Sequence, residues 1–283
     1  MQIAKVFALM TGLTVLLVGF GSYFGGSNGA VFFLIIAGAM NLGMYWYSDR
    51  AVLRMYRAKI LGPQDAPDLY EMVKQLSQRA NLPVPTLALA PSEQPNAFAT
   101  GRNPANAVVC VTAGIVKMLP PRELEGVIAH ELAHIKHRHM LVGTVAATIA
   151  GAIAMLASIA RWGMLLGGYG GRDNRGDNPL VMILMLIVAP IAAIIIQMAI
   201  SRQNEFQADA TAAQITGDPG GLASALRHIE AYAKQIPMAV NPAAAQLAIV
   251  NPLSGSRRPP LSGLFSTHPP TEERVARLSQ LQI

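Results

Sequence analysis

Ten residues, HELAHIKHRH at 130–139, hold four of the chain's six histidines. His130 and His134 are four apart. On a helix that spacing stacks two side chains on one face, one turn apart, where both imidazoles reach a single ion. Glu131 lies about 100° round the helix from His130. It stands beside such an ion without binding it, which is where a general base for a metal-activated water belongs. The pattern is H-E-x-x-H, and the chemistry it supports is metal-assisted hydrolysis of an amide. The bland alternative is a helix with solvent-facing histidines. Against it stands the apolar stripe Leu124, Val127, Ile128, Leu132 and Ile135, the buried helical context that the motif requires.

A hydrolytic zinc takes three protein ligands and keeps a position for water, so a further donor must come from elsewhere. The segment SRQNEFQADA, 201–210, offers Glu205 and Asp209, again four apart. Glu205 is the expected third ligand, giving one Zn2+ per chain. Asp209 is expected to accept a hydrogen bond from the free N–H of a ligand histidine and so fix its ring. His268, Glu230 and Asp218 compete for the third position, but each lies in or beside a loop or farther along the chain. His137 and His139, among Lys136 and Arg138, read as positive charge at a membrane interface rather than as ligands. The single cysteine, Cys110, rules out a disulfide framework within the chain and reads as core rather than nucleophile.

What must hold these residues is partly lipid-seeking. Hydrophobic residues make up 52% of the chain and charged residues 13%, about half the charge of an ordinary soluble domain. Four apolar runs, 6–24, 30–47, 141–160 and 180–200, each approach the ~20 residues a helix needs to cross the hydrocarbon. Tyr45, Trp46 and Tyr47 end the second run, and Arg161 with Trp162 ends the third, as interfacial anchors. Pro190 predicts a kink in the fourth, and Asn41 reads as helix-packing glue in the second. The first run also has the look of a signal peptide, with Lys5 before it, but another apolar run follows at once. The net charge of +6 sits largely beside these runs, so it points to an anionic lipid bilayer as partner and not to nucleic acid.

The expected organisation follows: 1–47 as two transmembrane helices, 48–140 as the first part of a protease domain, 141–200 as two more transmembrane helices, and 201–283 as its second part. Arg50, Arg54, Arg57, Lys59 and Arg202 flank the soluble blocks, while the opposite loops carry no excess of positive charge beyond Arg161. The positive-inside rule therefore puts both blocks and both termini in the cytoplasm. The fold class is mainly α, four transmembrane helices with a cytoplasmic α+β domain built from two chain segments. Within it, 67–81 reads as an amphipathic helix and PTLALA and NAVVCVT as strands. A helix starts at Pro120–Pro121. Others are expected over 201 to about 215 and about 222 to 235, with a long surface loop over 236–262 and a short helix in PTEERVARLSQLQ. His134 lies roughly 10 Å above the start of the third run and Glu205 roughly 8 Å beyond the end of the fourth, so adjacent antiparallel helices would bring them level, just above the membrane.

HELAH, SRQNEFQAD, PNAFATG and STHPPTEERVARL together resemble the HtpX-type membrane zinc metalloproteases, relatives of the CAAX prenyl proteases, over nearly the whole chain. Phe206 stands where that family often has tyrosine. The resemblance implies a gluzincin-type site in which His130, His134 and Glu205 bind zinc and Glu131 is the catalytic glutamate. It implies turnover of misfolded or damaged membrane proteins, a stress and quality-control role in the inner (plasma) membrane beside an ATP-dependent membrane protease. By the same resemblance His268 approaches the site and steadies the oxyanion. PNAFATG has two readings: a plain strand and turn with Asn96 as turn residue, or an edge strand whose Asn96, Ala97 and Phe98 pair with an extended substrate. The rivals are a prenyl-protein protease, disfavoured by only four runs, and a non-enzymatic scaffold with a structural zinc, disfavoured by Glu131. A transporter is least favoured, because charge is absent from the cores of the runs.

Overall fold

The computed structural model describes residues 2–146, 149, 202–235 and 269–282. The first two apolar runs form one long element, α1 (Gln2–Met55), which breaks at Gly26 (φ 59, ψ −144). Those angles are open to glycine and strained for any residue with a Cβ. Beside the break Gly21 and Gly29 meet backbone to backbone, where a Cβ on either would strike the other's carbonyl oxygen. The two arms are tied by Asn41, whose Nδ2 donates to the Met10 carbonyl at 3.3 Å and to Thr14 Oγ1 at 2.9 Å. Among the described residues, Gly25–Met55 is the helix long and apolar enough to cross a membrane; the apolar stretch of the first arm, Ile3–Gly19, is shorter. Val6, Leu9, Leu13 and Met44 pack against Val142, Val145, Ala146 and Ile149. The rest of the third run and the whole of the fourth lie outside the described residues.

The soluble part is built on a four-stranded sheet of order β1-β2-β4-β3, with β1 Lys59–Leu61, β2 Thr86–Ala90, β3 Ala97–Gly101 and β4 Ala107–Thr112. β2 and β4 run parallel; the other two pairs are antiparallel. The strand sequences are apolar without alternation because both faces are covered. On one face Leu87, Ala97, Ala99, Val109 and Val111 meet the helices of the main core. On the other, Ala88, Ala90, Phe98, Val108 and Cys110 pack against Val52, Leu53 and Tyr56 at the end of α1. The Tyr56 and Phe98 rings are 4.6 Å apart, and Arg102 in the β3–β4 turn lies over the Trp46 ring at 4.8 Å.

The helices are α2 (Pro67–Arg79), α3 (Ala113–Met118), α4 (Pro121–Lys136), α5 (Arg202–Thr216), α6 (Pro219–Gln235) and α7 (Thr271–Ser279). All five residues of the apolar stripe expected for α4 are buried. The start of α6 differs from expectation: GDPGG reads as a breaker, yet Asp218 Oδ1 accepts from the N–H groups of Gly220 and Gly221. The aspartate caps the helix and Pro219 occupies its first turn, so α6 begins at 219 rather than 222. Gly126 lets α6 lie close against α4; a Cβ there would come within 2.7 Å of the Leu222 nitrogen. The surface loop expected over 236–262 lies outside the described residues.

Candidate metal centre

Small residues bring the two carboxylates of α5 to the histidines of α4. Ala208 and Ala212 are fully buried between Glu205, Asp209 and the core, and with no side chain beyond Cβ they allow the helices to approach. The possible ligand atoms of His130, His134 and Glu205 all lie within 4.8 Å of one another. His130 Nε2 is 3.0 Å from His134 Nε2 and 3.7 Å from Glu205 Oε2, and His134 Nε2 is 3.4 Å from Glu205 Oε1. Two imidazole lone pairs and a carboxylate converging in a nearly closed site fit the donor set of a Zn2+ ion whose fourth position is left to water. Asp209 Oδ1 stands 2.9 Å from His130 Nδ1, where an outer partner of a ligand ring would stand.

Glu131 is buried beside these groups at 4% exposure. Burial pushes its carboxyl up to about 7, although His130 and the Ala99 N–H, which donates to it, pull the other way. A cation bound next to it would favour the carboxylate. Ala99 belongs to β3, at the edge of the sheet, so the edge strand and the glutamate are in contact. Of the residues read as a substrate strand, Ala97 and Phe98 have buried side chains, and Asn96 is clamped to β4. Its N–H donates to Thr112 Oγ1, and its carbonyl accepts from the Thr112 N–H.

Two residues of the site were not expected. Arg274, on α7, is 1% exposed. It donates to Asp209 through Nε at 2.8 Å and Nη2 at 2.6 Å, and its Nη1 lies 3.8 Å from Glu205. Burial opposes the Asp209 charge, but Arg274 and His130 hold its carboxyl down at about 2. A signal for Arg274 was present: it occupies the face of α7 formed by Thr271, Val275 and Leu278, where an apolar residue would be normal. The second is His139. Read as interfacial charge, it is instead 7% exposed, with Nδ1 3.1 Å from His134 Nδ1, and burial pushes its imidazole down to about 4. His137 is correspondingly not free at an interface, since its Nε2 lies 2.9 Å from Thr211 Oγ1 on α5. Asp218, a competing ligand, pairs with Arg122, and His268 lies outside the described residues.

Residues 63–282 match the family model described as peptidase family M48. The chain is 56% identical to a protease HtpX homolog of Gemmatimonas aurantiaca, covering 98% of each chain. It is 49% identical to another of Pelotomaculum thermopropionicum, covering 99% of each. The crystal structure of S. mikatae Ste24p is similar with a TM-score of 0.48 at 17% identity; the match covers 98% of this chain and 64% of that one.

Proposed function

The chain belongs to peptidase family M48 and is a metalloprotease, and on that premise we propose that it is a zinc-dependent endopeptidase acting on misfolded or damaged membrane proteins at the cytoplasmic face. The observation that carries this is the convergence of His130, His134 and Glu205, with Glu131 buried beside them and touching the edge strand. His130 and His134 would hold the ion through Nε2 and Glu205 through its carboxylate. Zinc, when bound, acidifies a water and polarises the scissile carbonyl. Glu131 would take the proton of the attacking water and deliver it to the leaving amine. The outward main-chain groups of β3 pair with an extended substrate, so recognition rests on backbone and suits many sequences. His268 steadies the developing oxyanion.

His134 and Glu205 flank the runs 141–160 and 180–200 yet meet at one point, which supports an even number of crossings between them. Two crossings there and two from the arms of α1 are the four-crossing layout we propose, and the basic residues after α1 favour a cytoplasmic site in the inner membrane. There the enzyme serves quality control under stress beside an ATP-dependent protease. The test is self-cleavage. Full-length protein purified in detergent with chelator should cut itself when Zn2+ is added, and Glu131→Gln should bind zinc without cutting. Turnover by Glu131→Gln at the parent rate would end the general-base assignment.

A further inference from the structure

We propose that His139 is a positioning residue of the metal centre: its Nδ1 accepts a hydrogen bond from His134 Nδ1–H and so holds His134 in the tautomer that offers Nε2 to the ion. This rests on the metal-centre reading above. Two unsubstituted ring nitrogens 3.1 Å apart share one proton, with one donating and the other accepting. His134 Nε2 faces His130 and Glu205 and needs its lone pair for the ion. The shared proton therefore sits on His134 Nδ1, and His139 accepts. The contact is not a product of helical spacing. On a straight helix, residue 139 would lie about 140° round from 134 and roughly 7.5 Å along. Instead α4 stops at Lys136, and Arg138 takes φ +57, a left-handed conformation unfavourable for a residue with a side chain. That turn carries His139 back over the last turn of α4. His137 then stacks on it, ring centroids 5.5 Å apart and 24° from parallel, while bonded to Thr211 of α5. His130 thus has a carboxylate beside its ring and His134 an imidazole, itself stacked on His137.

The experiment measures Zn2+ affinity by chelator competition on full-length protein in detergent, in a Glu131→Gln background to prevent self-cleavage. His139→Leu removes the acceptor and should weaken zinc binding by roughly 10–100-fold. His139→Asn places an amide oxygen near the lost Nδ1 and should restore affinity to within about threefold of the parent. The visible absorption of the Co2+-loaded protein should change in the Leu variant and return in the Asn variant. A Leu variant that binds like the parent overturns the proposal, as does equal weakening by Leu and Asn, which would mean packing alone. If the Leu chain does not fold, the Asn variant decides by itself, and a loss beyond about tenfold overturns the proposal. A parent that binds no zinc overturns the metal-centre reading as well, whereas a tight-binding parent with indifferent variants removes only the role of His139.

Discussion

Arg274→Met should cost the protein much of its stability. The guanidinium and the Asp209 carboxylate are joined by two hydrogen bonds of 2.6 and 2.8 Å, and both side chains are almost fully buried. Unit charges about 4 Å apart at an effective dielectric near 20 attract by about 4 kcal/mol. Removing one partner of a buried pair, which strands the other charge, costs about 3–5 kcal/mol. Glu205 loses a nearby cation too. For a domain of this size that corresponds to a fall in Tm on the order of 10 °C. The assay is thermal unfolding in detergent, with chelator present so that metal binding does not enter, comparing Arg274→Met with the parent. The pH dependence has a definite sign. Asp209 is held at about 2, below the ordinary carboxylate range. Its stabilisation is therefore complete above about pH 4 and lost as pH falls through about 2. Adding Asp209→Asn to Arg274→Met should recover part of the loss, because the Asp209 charge is no longer stranded. A variant melting within about 2 °C of the parent would refute the reasoning.

Glu205→Ala should lower zinc content well below one ion per chain, read by metal analysis after dialysis; full occupancy would assign the third ligand elsewhere. Gly126→Ala should destabilise by about 1–3 kcal/mol, since the new methyl meets the Leu222 backbone rather than a movable side chain. The same thermal scan reads this, and an unchanged Tm would mean that α6 shifts without cost.

The heart of the site was legible because it is written in local spacing. His130 with His134, and Glu205 with Asp209, are each four apart, and each pair lies a few residues from an apolar run. Arg274 escaped because it lies 65 residues from Asp209, and no spacing rule joins α7 to α5. Only its place on the buried stripe of α7 could have marked it. His139 escaped for a different reason. Its contact depends on the backbone angle of Arg138, and left-handed turns at residues other than glycine leave little trace in a sequence. The strands were readable as strands, but their order was not, because covering on both faces removes the alternation that would show which side each residue takes. The start of α6 was hidden by Gly and Pro, which spell both a stop and a cap.

The rear of the sheet is covered by the last turns of α1, with Tyr56 against Phe98 and Val52 beside Ala88 and Cys110. A fragment trimmed to begin at residue 59 would bare that greasy wall to water while keeping every metal donor. The anchor is therefore masonry as well as mooring, and a detergent-free catalytic fragment would have to carry a replacement for those last turns to stay dispersed.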